Sequence, residues 1–229
     1  MKDIILFDLG GTLVQYFSRS EFHDILKQAI MEVYDHLYHE KYINISLDDI
    51  WESVDKENHE SEDYSVRQLE DRLSRIFHIN DKNLLESMCR RFMIPIFRMA
   101  VLFDDTLPAL RELKANYKMG IVSNTTWGSP AELWREEIRR FGIDRYMDTI
   151  VFCRDVGWRK PDRRIFSFAL DRIQASPAQC IFVGDDMRWD IAGSRASGID
   201  AILIDRKGIA QNTEEKPIKS LLELFERIK

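Results

Sequence analysis

The chain has 229 residues, 45% hydrophobic and 31% charged, with a formal net charge of −6. This is the balance of a soluble globular protein. It disfavours free nucleic acid as a partner, because a phosphate-backbone binder carries a basic stripe and no basic run occurs here. No stretch approaches the roughly 20 apolar residues that span a bilayer, so no membrane partner is expected.

The opening MKDIILFDLG is too short for the apolar core of a signal peptide and lacks a small-residue cleavage site. Cys89, Cys153 and Cys180 lie far apart with no paired spacing. That argues for small core residues in a reducing, cytoplasmic setting rather than a disulfide framework. The apolar run Ile4 to Phe7 reads as a strand ending on Asp8, with Gly10, Gly11 and Thr12 behind it. Asp and Gly form turns, so a strand entering a turn accounts for the segment. On this segment alone that reading is preferred over a carboxylate held at a strand tip for chemistry, and the rest of the chain decides.

From about Tyr16 to Met99 the pattern is helical and free of glycine. Its stretches are 21–42, 46–57, 65–77 and 81–97, with Ser46 and Asp81 as N-caps. All five histidines fall here (His23, His36, His39, His59 and His78) and read as solvated or structural side chains. From Met119 onward the theme changes. MGIVSN, TIVFC, QCIFVGDD and DAILID are short Ile- and Val-rich runs, most ending in polar or acidic residues, as buried parallel strands do. Helical segments separate them. One runs from Pro130 to Gly142, one starts at Pro161, one ends at Gly198, and one spans KPIKSLLELFERIK. Strand and helix alternate with short connections. The fold class is therefore α/β, a doubly wound parallel sheet with an inserted α-helical cap domain. Its core is expected in residues 1–15 and 100–229 and its cap in 16–99.

Open α/β sheets bind ligands beyond the carboxyl ends of their strands. At those ends lie Asp8, then Ser123 and Asn124, then Gly184, Asp185 and Asp186 with Asp190 following, while GWRKPD contributes Lys160. Clustered carboxylates raise one another's pKa unless a cation joins them. Asp8, Asp185 and either Asp186 or Asp190 can hold a hard cation such as Mg2+ through oxygen. Lys160 and the Ser123 hydroxyl can bind phosphate oxygens while Asp8 attacks phosphorus.

The ordered set DLGGT, IVSN, GWRKPD and GDDMRWD resembles the four motifs of the haloacid dehalogenase-like superfamily, in the branch with a helical cap after the first strand. The resemblance covers nearly the whole chain. It implies a hydrolase, phosphatase chemistry on a small phosphorylated metabolite, and an aspartyl-phosphate intermediate. It makes Asp8 the nucleophile, Ser123 the phosphate-binding hydroxyl and Lys160 the charge-stabilising cation. Asn124 and Gly11 complete the phosphate position. The Mg2+ ligands it implies are Asp8, the backbone carbonyl of Gly10, Asp185 and Asp190. Asp186 stands where many members have Ser, which leaves its role open.

One position departs from that pattern. The family's second Asp, which protonates the leaving group, is Gly10 here. Losing a general acid costs about 10²–10⁴ in rate, with the upper end expected for alkyl phosphates and less for acyl or aryl phosphates. Gly is neither the Tyr of the dehalogenase branch nor the Ala of the phosphonate-cleaving branch. Two alternatives therefore stand beside a phosphatase. One is an enzyme cleaving carbon–halogen or carbon–phosphorus bonds. The other is a pseudoenzyme binding a phosphorylated ligand or a protein. Trp127, Trp158 and Trp189 border the motifs as an aromatic wall or as packing, and Trp134 reads as packing. Arg154, Arg159 and Arg188 lie near the same edge. Most read as solvated, with one available to a second acidic group of a substrate. The crossings at Val14–Phe17 and Phe97–Phe103 are the expected hinges of the cap.

Overall fold

A computed structural model describes residues 2–18, 20–208 and 216–228. Strand β1 (Ile4–Phe7) lies at the centre of a five-stranded parallel sheet of order β5-β4-β1-β6-β7. Its partners are β4 (Lys118–Ser123) and β6 (Cys180–Gly184), with β5 (Thr149–Phe152) and β7 (Asp200–Leu203) at the edges. Ile4 pairs with both Lys118 and Cys180, and Phe7 with both Ile121 and Val183, so the three central strands end level. All four β1 side chains are buried. Ile5 and Phe7 join one core cluster, while Ile4 and Leu6 join the other. A strand buried on both faces has no polar alternation to show, and each such side chain contributes about 1.5–3 kcal/mol.

Helices cover both faces. Ala109, Leu110 and Leu113 of α5 (Thr106–Leu113) and Trp134 and Ile138 of α6 (Ala131–Phe141) fill the first cluster. Ile165, Phe166, Ala169 and Leu170 of α8 (Arg163–Ile173) fill the second. A single turn, α7 (Cys153–Val156), precedes α8. The three cysteines are buried and unpaired.

Four helices stand between the central strand and the rest of the sheet: α1 (Phe22–His39), α2 (Leu47–Glu57), α3 (Leu69–Phe77) and α4 (Lys82–Arg98). Ser46 and Asp81 cap α2 and α4, accepting from Asp49 N and Leu84 N. The chain enters and leaves this module on a two-stranded antiparallel ribbon, β2 (Val14–Gln15) with β3 (Val101–Leu102), which sequence pattern gave no means to anticipate.

Three expected helices differ from the structure. The one over 65–77 begins only at Leu69. Val66 N donates to Gly157 O (2.9 Å) and Arg159 N donates to Tyr64 O (2.9 Å), so pairing with a distant segment holds this stretch extended. The last helix starts well after Pro217, because Ile218 bridges to Ile204 and extends the sheet edge. Only a 3₁₀ turn at Leu221–Glu223 and α10 (Leu224–Arg227) are helical. The helix ending near Gly198 opens as a π-turn, Met187–Ala192, before α9 (Gly193–Ala196). Among the described residues no helix is long and apolar enough to cross a membrane.

Candidate active site

The level carboxyl ends of β1, β4 and β6 open into a cavity of about 830 Å³. Asp8, Gly10, Gly11, Ser123, Asn124, Lys160, Asp185, Asp186 and Asp190 all line it, which brings every sequence-derived site residue together. Asp8 follows directly on β1, and its backbone N–H donates to Val183 O at 2.9 Å, fixing it to the neighbouring strand. The Lys160 ammonium donates to Asp8 Oδ1 at 2.7 Å and to Asp190 Oδ1 at 2.6 Å. It is buried, as are Asp8, Ser123 and Asp190. Burial alone disfavours the charged amine. The adjoining Asp190 and Asp8 carboxylates outweigh that and push its pKa up, so Lys160 stays charged.

Asn124 holds the backbone of that lysine. Its Oδ1 accepts from Lys160 N at 2.8 Å and its Nδ2 donates to Lys160 O at 3.3 Å. The Ser123 hydroxyl donates to Asn124 O at 3.2 Å. Asp190 reaches Lys160 because Asp186 O accepts from both Asp190 N and Ile191 N, the widened turn of a π-helix. Asp190 Oδ2 accepts from Asp186 N at 3.0 Å, so both carboxylate oxygens are engaged. The Asp186 side chain caps this turn, accepting from Arg188 N and Trp189 N. That capping is the structural work done where Ser is common.

Two glycines permit the approach of these carboxylates. A Cβ on Gly11, whose φ is +75°, would lie 2.2 Å from Asp185 Oδ2, and one on Gly184 would lie 2.5 Å from Asp190. Gly10 is different. A Cβ there would meet only the Tyr16 ring, at 3.6 Å, which is ordinary contact. The space for a side chain at Gly10 exists, and nothing in the backbone forbids one.

Carboxylate oxygens of Asp8, Asp185 and Asp190 lie within 4.8 Å of one another. Among the described residues no cation pairs with Asp185. Partial withdrawal from water, then the nearby Asp8 and Asp190, push its carboxyl up to about 8, a rise that its exposed face toward the cavity tempers. Burial and Asp8 likewise push Asp190 up, opposed by the Lys160 ammonium at 2.6 Å. An all-oxygen donor set with one uncompensated carboxylate fits a hard divalent cation. Among the described residues no backbone N–H donates to the Gly10 carbonyl, so that oxygen is available as well.

The remaining expectations separate. No histidine lines the cavity. Trp127 is core packing, stacked on Phe92 with its indole N–H on Asn58 Oδ1. Trp158 lies outside the cavity beside Arg164. Trp189 lines it, and so does Trp134, which is buried against Tyr16 but also reaches the cavity wall. Sequence reasoning missed Tyr16, Phe17, Phe103 and Arg206 as lining residues. Arg206 donates to Thr12 O and to Asp105, tying the segment after β7 to the turn after Asp8. Only the position of Tyr16 and Phe17, just beyond the first motif, carried any signal.

A doubly wound parallel sheet with a carboxylate, a hydroxyl, a lysine and an acidic loop at its strand tips defines a class of hydrolase. The chain belongs to the haloacid dehalogenase-like hydrolase family, whose model matches residues 5–204. It is 36% identical over 104 residues to a glyceraldehyde 3-phosphate phosphatase of Methanothermobacter thermautotrophicus, covering 45% of this chain and 44% of that protein. It is 28% identical over 156 residues to (S)-2-haloacid dehalogenase 4A of Burkholderia cepacia, covering 66% of this chain and 64% of that protein. The chain thus spans under two thirds of the length of either relative. A solved phosphatase of the same superfamily from Thermococcus onnurineus superposes with a TM-score of 0.68 at 24% identity, covering 100% of this chain and 98% of that one. A 2-haloacid dehalogenase from Pseudomonas syringae pv. Tomato superposes with a TM-score of 0.71 at 21% identity, also over 100% and 98%. Both likenesses concern the fold alone.

Proposed function

We propose that the protein is a magnesium-dependent phosphatase that acts on a small phosphorylated metabolite through an aspartyl-phosphate on Asp8. The observation that carries this reading is the Asp8–Lys160–Asp190 ion-pair chain beside Asp185, a carboxylate that no cation of the described residues pairs with directly. Asp8, Asp185 and the Gly10 carbonyl would hold the metal. Asp190, with both oxygens engaged, orients Lys160 and contributes through solvent or after a shift. Bound magnesium would supply positive charge against phosphate oxygens facing the nucleophile.

In this reading an Asp8 carboxylate oxygen attacks phosphorus, the bond from phosphorus to the leaving oxygen breaks, and the leaving group departs with the electron pair. Water then cleaves the acyl phosphate, releasing inorganic phosphate and restoring Asp8. Lys160 and the Ser123 hydroxyl hold the transferred oxygens, and Asn124 keeps Lys160 in place. Gly10 supplies no proton to the leaving group. Tyr16 lies nearest that position, yet its hydroxyl is buried without a hydrogen-bond partner. Leaving groups that depart as stable anions, carboxylates or phenolates, are therefore the best served. Residues 16–99 act as a cap over a core of 1–15 and 100–229, with the β2–β3 ribbon at the crossing. The test is phosphate release from acyl, aryl and alkyl phosphates with and without magnesium. Release of chloride or cleavage of a phosphonate without magnesium, and no phosphate release, would overturn the reading.

A further inference from the structure

Of the arginines near the sheet edge, most are spoken for. Arg154 donates to Glu70 at 2.8 Å. Arg159 pairs with Glu60 at 3.7 Å and donates to Ser61 O at 3.2 Å. Arg206 is held by Asp105 and Thr12 O. Lys160 is shared by Asp8 and Asp190, and Lys207 at the rim lies within electrostatic reach of Glu21. Arg188 is the exception among the described residues lining the cavity. Among the described residues its guanidinium forms no ion pair with a carboxylate, although it stands on an acidic loop. Its recorded side-chain partner is the neutral Tyr64 hydroxyl, which accepts from Nη2 at 3.1 Å.

Tyr64 comes from the helical module, not from the sheet. It holds a left-handed conformation (φ 64°), which is costly for a bulky residue. The segment around it is pinned. Tyr64 O accepts from Arg159 N, Ser65 bridges Trp158, and the Tyr64 ring lies 5.6 Å from the Arg159 guanidinium. One residue thus braces the backbone next to Lys160 and the side chain of Arg188. A guanidinium has five donors in a planar fork suited to two oxygens of one anion. Tethering it through a single donor limits its rotamers while the remaining donors stay available. A cavity of about 830 Å³ has room for far more than one phosphate.

We propose that Arg188, braced by Tyr64, binds a second oxyanion of the substrate, a carboxylate or a second phosphate at the end remote from the transferred group. The proposal rests on the phosphatase reading for the position of the first phosphate. It makes Arg188 a specificity residue and Tyr64 a positioning residue. It also resolves which of the three edge arginines is free to meet a substrate.

The test uses matched aryl phosphates: 3-carboxyphenyl phosphate, its methyl ester, and benzene-1,3-diyl bisphosphate. Calorimetric titration of the Asp8→Asn chain with magnesium avoids turnover. The acid or the bisphosphate is expected to bind about tenfold or more tightly than the ester, on the scale of a charge-assisted hydrogen bond, and whichever does so identifies the oxyanion. Adding Arg188→Gln erases the difference. Arg188→Lys keeps part of it, and Tyr64→Phe lowers it without lowering affinity for the ester. Equal binding of all three, a preference that survives Arg188→Gln, or no binding of any of them overturns the proposal. Phosphate release from the ester by the unaltered chain is measured separately. Its absence counts against the phosphatase reading, while the binding comparison still decides the role of Arg188.

Discussion

The acidic floor of the cavity and the segment that braces its rim are built on opposite principles. On the floor, Asp8, Ser123 and Asp185 each sit at or just past the end of a central strand, and parallel register alone makes those ends level. At the rim, Tyr64, Ser65 and Val66 reach Gly157–Arg159 from more than 90 residues away in sequence, by backbone pairing that no periodicity encodes. The floor is thus fixed by local sequence placed on a rigid sheet, and the rim by long-range contact between two modules. Under the proposed function, the chemistry would belong to the first and the choice of substrate to the second. Motion is also constrained differently. A cap that rocks on the β2–β3 ribbon must first release the Ser65–Trp158 pairing, the Arg154–Glu70 pair and the bond from Trp127 to Asn58.

The largest expected effect lies on the floor. Asp8→Asn removes the nucleophile while leaving a side chain of the same shape, and phosphate release is expected to fall to background with the fold retained by circular dichroism. Residual release close to that of the unaltered chain would remove Asp8 from the mechanism. The next effect is a gain. Because a Cβ at Gly10 meets only the Tyr16 ring at 3.6 Å, an Asp fits there without strain. Gly10→Asp is expected to raise turnover of an alkyl phosphate by roughly 10²-fold, and of an acyl phosphate much less, since an alkoxide needs the proton and a carboxylate does not. An equal effect on both substrates would show that leaving-group protonation is not what this chain lacks.

Asp8, Ser123 and Asp185 were legible because each sits at or just past the end of a short apolar run, so strand ends and site residues are one signal. Lys160 and Asp190 lie beyond the strand ends, in GWRKPD and in the acidic loop, and line the same cavity. The helices of the insert were legible by periodicity and by the caps at Ser46 and Asp81. What was not legible depends on partners remote in sequence. The segment 65–68 has helical composition but pairs with Gly157 instead, and Pro217–Ile218 abandons a helical pattern to extend the sheet at Ile204. Trp134 looked like packing and is packing, yet its edge also reaches the cavity, a distinction that only geometry draws.

Gly11→Ala separates the two glycines of the first motif on a smaller scale. Its φ of +75° is disfavoured for any L side chain, and the new methyl would run into the Asp185 carboxylate. A loss of about 1–2 kcal/mol is expected from backbone strain, read by urea unfolding. Magnesium should also cease to raise the melting temperature, because Asp185 is displaced. Gly10→Ala, by contrast, should leave stability within about 0.5 kcal/mol, as substitutions away from special features do. Equal losses at the two positions would contradict the geometry.

The smallest effect is the most diagnostic of the metal reading. The Asp185 carboxyl lies above its ordinary value of 3.8, at about 8. Between those two values the folded chain without metal therefore binds a proton there that the unfolded chain does not. That contribution to stability is fully present below the ordinary value and is lost as pH rises through the raised one. A bound cation needs the ionised carboxylate and competes with the same proton. The gain in melting temperature on adding magnesium should consequently be larger near pH 8 than near pH 6, while the metal-free chain changes in the opposite sense. Asp185→Asn removes both trends at once, since an amide neither titrates nor binds magnesium as a carboxylate does. If the gain is equal at the two pH values, or greater at the lower one, the uncompensated carboxylate is not where the cation acts. Asp8 and Asp190 would then have to carry the site with Lys160 already between them.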